Sequence, residues 1–257
     1  MKKITSFLVV LLLMLASFTA GVEYQRGDVD QDGQVGISDV TCLIDYLLTG
    51  TWPDEPVTPP DNDEWVDLGL PSGTLWATRN VGANSPEECG DYFAWGETEP
   101  KEEYTWETYK WCDSDELLLT KYCSNSDYGY NGYTDDKTEL DPEDDAAYVN
   151  WGSSWRMPTY GQLIELNDNC TWTWTTQKGV NGRLLTGPNG NTLFLPAAGA
   201  RYDRTLGGRG VAGDYWSRTL GNGKGAYVMC IFSDEVWWYN YNRYYGFSVR
   251  PVRVPQE

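Results

Sequence analysis

For its large domain, residues 65–257, this 257-residue sequence predicts an α+β fold with much irregular structure, on three observations. Only one stretch, at 159–168, carries a clear helical pattern. Nearly everything else is punctuated by glycine and rich in Trp, Tyr, Thr and Val, the composition of short strands and long loops. The tail alternates strand-like runs at 226–232, 236–241 and 247–254 with Ser233-Asp234-Glu235 and Asn242-Arg243, which predicts an antiparallel meander.

In chain order, residues 1–21 have the layout of a secretory signal peptide. Lys2 and Lys3 precede an apolar run at 7–15, and the small residues Thr19, Ala20 and Gly21 follow. The run is short for a membrane span, and no cysteine follows closely enough for a lipid anchor. The expectation is a soluble protein, secreted or held at the cell surface, with no membrane span.

Next stands Gly27-Asp28-Val29-Asp30-Gln31-Asp32-Gly33-Gln34-Val35-Gly36-Ile37-Ser38-Asp39, with carboxylates at loop positions 1, 3, 5 and 12 and glycine at 6. Calcium takes roughly six to eight oxygens from such a loop. Asp28, Asp30 and Asp32 point inward, Gly33 makes the sharp turn, Gln34 offers its backbone carbonyl, and Asp39 opens a helix at 38–48. Val40, Leu43, Ile44, Leu47 and Leu48 give that helix an apolar side. A calcium module at 24–50 is expected; the competing reading is an acidic turn before a helix. The loop closely resembles a dockerin-type repeat, whose family loops also end in aspartate. Dockerins usually carry two repeats and dock onto cohesins, whereas a single repeat stands here. A cohesin-like partner and a calcium-stabilised spacer therefore both remain open. Residues 51–64, with Pro53, Pro56, Pro59 and Pro60 among acids and threonines, read as an extended linker.

The formal net charge is −19, and the leader holds two lysines and no acids, so its removal makes the chain more acidic still. Such a charge argues against nucleic acid as a partner. The charge is uneven: residues 51–150 hold 25 acids against 5 bases, whereas 201–257 hold 5 against 8, so the two regions are expected to differ in role. No histidine is present, which excludes a serine or cysteine triad built on imidazole. The six cysteines permit disulfides in an exported chain, with Cys112 and Cys123 the first pair to test.

Within the large domain, Thr159 caps the predicted helix, with Leu163, Ile164 and Leu166 on its apolar side. A second short helix is expected at 144–150. Just before it, residues 135–145 hold seven carboxylates in eleven positions. Charges so dense read first as a solvated loop; a cation site and a glycosidase-like acid pair are the alternatives.

Six segments carry a resemblance that runs in order through nearly the whole domain: Val66-Asp67-Leu68-Gly69-Leu70-Pro71-Ser72-Gly73-Thr74-Leu75-Trp76-Ala77, Tyr92-Phe93-Ala94-Trp95-Gly96-Glu97-Thr98, Trp155-Arg156-Met157-Pro158-Thr159, Leu195-Pro196-Ala197-Ala198-Gly199, Tyr215-Trp216-Ser217 and Gly246-Phe247-Ser248-Val249-Arg250-Pro251-Val252. They resemble the major paralogous domain family called FISUMP. The resemblance implies a C-type-lectin-like fold of the formylglycine-generating-enzyme type, no reaction, a final strand that returns to the domain's start, and early tryptophans that serve the core. Sugar capture through calcium is disfavoured, because Glu99-Pro100-Lys101 poorly matches the lectin loop and the tryptophan-asparagine-aspartate triplet is missing. Formylglycine chemistry is disfavoured because Cys230 stands alone in the final region.

The candidate ligand surface is the ribbon Trp237-Trp238-Tyr239-Asn240-Tyr241-Asn242-Arg243-Tyr244-Tyr245, with six aromatics in nine positions, joined by Asp214 and Arg218. A strand buries alternate residues, so about half of these rings must face outward. Tyr and Trp mixed with Asn, Ser and Arg give rigid contact area with adaptable hydrogen bonding, which suits a glycan or protein ligand. The bland reading is a wet aromatic sheet face without a ligand. The scatter of residues at 214–245 before the closing Gly-Phe-Ser-Val-Arg-Pro also fits diversification by a retroelement, in which Cys230 would be a product of randomisation. The undiversified family shares that ending, so both origins stay open. Three functional readings follow: an exported non-catalytic binding protein, a polysaccharide-binding accessory subunit docked through the calcium module, or a hydrolase using the acidic loop.

Overall fold

The computed structural model describes residues 65–113 and 117–253. The leader, the calcium loop (Asp28, Asp30, Asp32, Gln34, Asp39) and the linker lie outside them. The described part is mostly β-sheet with few helices. Its strands are β1 (Trp65–Asp67), β2 (Leu75–Ala77), β3 (Thr171–Gln177), β4 (Val180–Thr186), β5 (Thr192–Pro196), β6 (Ala200–Tyr202), β7 (Thr205–Gly207), β8 (Gly213–Leu220), β9 (Gly225–Ile231), β10 (Val236–Asn242) and β11 (Val252–Arg253). The α-helices are α1 (Ala146–Trp151) and α2 (Tyr160–Asn169).

Both helices start where local chemistry dictates. Thr159 caps α2 in a reciprocal box with Gln162, satisfying two N–H groups that an open helix end leaves free. Leu163 and Leu166 are its buried residues. Asp145 caps α1 by accepting from Ala147 and Tyr148.

The sheets are ordered β1-β2-β11, β10-β9-β8 and β3-β4-β5, with a β6-β7 hairpin. The last strand does return to the domain's start, where Val252 pairs with Trp76 and Arg253 with Leu75. The expected meander is only half present. β9 and β10 form its hairpin, but β9's other neighbour is β8. The third run does not pair with β10: it lies on the β8 side of that sheet, where Ser248 bridges Tyr215 in parallel and Phe247 bridges Phe93, before β11 joins β2. Nor does the run alternate: Phe247, Ser248, Val249, Arg250 and Val252 are all buried, because it threads between packed layers rather than lying on a wet face.

The core has three apolar clusters, and the β8-β9-β10 sheet separates two of them. Ala226, Val228 and Cys230 join Trp95, Trp155 and Trp216 on one face. Met229, Ile231 and Tyr215 join Trp76, Leu163 and Leu185 on the other. The early tryptophans Trp76 and Trp95 are fully buried. Gly246 is required by close approach, since a Cβ there would collide with the Tyr104 ring.

Arg250 is also fully enclosed. Its guanidinium donates to Asn80 Oδ1 at 2.8 Å and to the Ala77 carbonyl at 3.1 Å. Burial pulls its pKa down to about 10. No disulfide forms among the described residues: Cys112 and Cys123 are both free, as are Cys89, Cys170 and Cys230. The Cys112 and Cys123 thiols face the backbone carbonyls of Asp113 and Asn125 instead.

Candidate functional site

The aromatic ribbon is β10 and the turn after it. Trp237, Tyr239 and Tyr241 project to one face of the sheet, above Cys230, Val228 and Ala226 of β9. Their rings form an unbroken series: Phe232 to Trp237 at 6.3 Å, then Tyr239 at 5.4 Å, Tyr241 at 5.4 Å and Tyr245 at 5.7 Å. Tyr244 stacks on Tyr245 at 4.6 Å, and Trp106 meets Tyr244 edge-on at 5.0 Å. Adjacent rings are mostly tilted or edge-on, the geometry their quadrupoles favour. Trp237 is 43 % exposed, and Tyr239, Tyr241, Tyr244 and Tyr245 are half-buried.

This exposure has a different origin from the one alternation predicts. Neither face of the sheet is wet at β9, whose two sides both lie in core clusters. The rings of β10 reach solvent because, among the described residues, β10 is the edge of its sheet. Trp238 points to the opposite face, where it meets Tyr160 edge-on at 5.6 Å and flanks the second cluster. It does not belong with Trp237.

Two arginines leave the candidate surface. Arg243 is 0 % exposed, donating to the carbonyls of Gly225 at 3.2 Å and Gly223 at 3.1 Å, over the Trp95 ring at 5.2 Å. Burial pulls its pKa down, yet it meets carbonyl dipoles and a ring face rather than a carboxylate. It ties the turn after β10 to the 223–225 turn. Arg218 bonds Glu139 at 2.8 Å and the Met157 carbonyl at 3.0 Å, so its role is to fasten the acidic segment to β8. Asn240 is likewise a fastener, exchanging hydrogen bonds with the backbone of Asn222.

Asp214 stays with the ribbon, across β9 from Trp237 and opposite Cys230. Burial raises its carboxyl pKa to about 6, moderated by a hydrogen bond from the Cys230 thiol. The thiol is itself pushed up by burial and by the neighbouring Asp214 charge. Cys230 is a core residue and not a surface position. Burial also raises Tyr241 to about 12, so its phenol remains a neutral donor near pH 7.

The acid-rich segment is a solvated loop only in part: Asp136, Glu139 and Glu143 are exposed, but its C-terminal end turns inward. Asp144 and Asp145 are buried. Asp144 accepts from Lys121 at 2.6 Å, from the Tyr122 hydroxyl at 2.7 Å and from Lys110 at 3.2 Å. Asp145 accepts from the N–H groups of Ala147, Tyr148 and Met157. Burial opposes ionisation of Asp141, but Lys121 and Lys137 outweigh it and hold its carboxyl at about 2. Lys137 within the segment, Lys110 and Lys121 from a preceding loop, and a helix start thus take Asp141, Asp144 and Asp145. Among the described residues no group of three or more His, Cys, Asp or Glu side chains is arranged to hold a metal ion.

Two open clefts of about 440 and 520 Å³ share Gly90, Tyr92 and Arg201. Neither contains a β10 side chain. The rings that extend the ribbon, Phe232 and Trp106, were not singled out by sequence. Only Phe232 carries a local signal, standing at the far end of the same hairpin.

No family model matches the chain, and neither a curated protein nor a solved structure matches it. Among the described residues no helix is long and apolar enough to cross a membrane.

Proposed function

We propose that this chain is an exported, non-catalytic binding protein whose C-type-lectin-like domain recognises a glycan or protein through the Trp237, Tyr239, Tyr241, Tyr244 and Tyr245 rings. The observation that carries the reading is the series of touching, half-exposed rings on an uncharged edge strand. Large rings normally go inside; here they stand at the rim of a core that is already filled. Rigid rings lose little entropy on binding and present both apolar faces and phenol hydroxyls, the chemistry of protein hot spots and of stacking against sugar faces. The return of β11 to β2 supports the lectin-like assignment, as does the burial of the closing segment at 247–252. Calcium at Asp28, Asp30, Asp32, Gln34 and Asp39 would stabilise a separate N-terminal module.

The test is an array of glycans and extracellular proteins probed with the native chain and with a Trp237→Ala, Tyr239→Ala double variant. Binding by the native chain and a loss of at least about tenfold in the variant are expected, the size of a modest aromatic hot spot. Equal binding by both proteins, or no binding at all, overturns the reading.

A further inference from the structure

β10 has β9 on one side and, among the described residues, no strand on the other. An open edge presents unpaired N–H and C=O groups, and proteins normally blunt one with lysine, proline, a bulge or a short length. β10 has none of these. It runs seven residues, Val236-Trp237-Trp238-Tyr239-Asn240-Tyr241-Asn242, in unbroken register with β9 and without a charge. By contrast, β8 on the far side of β9 carries a register shift between Trp216 and Leu220.

We propose that the β10 edge pairs antiparallel with β10 of a second copy of this chain, joining two three-stranded sheets into one across a two-fold axis at Tyr239. Three observations favour self-pairing. First, the strand is close to symmetric about Tyr239: across the axis Trp237 faces the partner's Tyr241, and Trp238 faces the partner's Asn240. Aromatic cross-strand pairs of this kind stabilise a sheet. Second, the strand places no charge opposite its own image. Third, a chain of net charge −19 repels itself over most of its surface, but residues 201–257 hold 8 bases against 5 acids. The edge lies in a part of the sequence where bases outnumber acids, although Arg243 and Arg250 among them are buried.

The two-fold stands perpendicular to the sheet, so Trp237, Tyr239 and Tyr241 of both copies emerge on the same face. The joined rings form one platform about twice as long as either copy's. That consequence rests on the binding function proposed above; the pairing does not. An edge of seven residues is small against the ~1,600 Å² of a standard interface, which makes the association reversible.

The experiment is sedimentation of the whole chain from low to high micromolar concentration, at low and moderate salt, with hydrogen exchange followed at 236–242. The expected result is a monomer–dimer equilibrium that tightens with salt, together with β10 amides that gain protection as the dimer forms. Tyr239→Lys sets two ammonium groups against each other and should raise the dimer dissociation constant by at least about tenfold, whereas Tyr239→Phe should leave it within about twofold. A chain that stays monomeric throughout overturns the proposal. So does a dimer whose β10 amides gain no protection, or protection of β10 that is independent of concentration, which would assign the edge to the chain's own residues outside 65–253. Mass and exchange need no ligand, so these outcomes are separate from the binding array.

Discussion

The acid-rich segment at 135–145 and the aromatic strand β10 are the two most biased stretches of the domain, and their side chains go in opposite directions. Carboxylates, which water solvates best, turn inward at Asp144 and Asp145 and find lysines, a phenol and backbone N–H groups. Rings, which water solvates worst, turn outward at Trp237. The difference is one of available partners. A buried carboxylate is tolerated when donors converge on it. A ring on an edge strand is left half out when the core beneath it is already full. The acids hold the domain together, and the rings are free to meet something else.

The largest test of that contrast is Asp145→Ala. It strips the acceptor from three N–H groups, two of them buried, and removes the cap of α1, so a loss of about 3–4 kcal/mol by denaturant unfolding is expected. A loss below about 1 kcal/mol would return the segment to the status of a solvated loop.

Asp214 is the intermediate case, an acid placed under the rings with only a thiol beside it. Its folded pKa of about 6 lies above its ordinary value of 3.8, so the folded state holds the proton more tightly than the unfolded one. Its contribution to stability is therefore full below about pH 4 and lost as pH rises through about 6, a change of roughly 2–3 kcal/mol. Asp214→Asn should remove that component of the pH dependence and raise stability near pH 7 by a similar amount. An unchanged profile in the variant would show the carboxyl to be well solvated.

The smallest effect belongs to Trp237→Ala. The ring is 43 % exposed at a sheet edge, and its removal should change unfolding stability by less than about 1 kcal/mol while ligand binding falls. A larger loss would make the ribbon part of the core.

Legibility in the sequence followed distance along the chain. The start of α2 could be read because Thr159 and Gln162 are neighbours that satisfy each other. The β9-β10 hairpin could be read because both strands flank one polar turn. The closing segment was misread as a third meander strand because its partners, Phe93, Tyr215 and Trp76, are remote. Arg243 looked like a contact residue because it stands among Tyr and Asn; the carbonyls of Gly223 and Gly225 that enclose it belong to another turn. The acids at 141–145 looked open because Lys110 and Lys121 arrive from a preceding loop. The rings were legible as a surface, but the reason for their exposure was not, since edge position is a property of the whole sheet.

The union of β11 with β2 has a consequence for how the domain is made. Arg250 binds the carbonyl of Ala77 across a sequence separation of 173, and Val252 lies against Trp76. Contacts between such remote residues bring loop-closure entropy that must be met before they return any energy, and they slow folding. A nascent chain has no lid for the Trp76 cluster until its final segment is free. Folding of this domain therefore has to wait until residues 250–253 have been made, because they carry the other half of the contact.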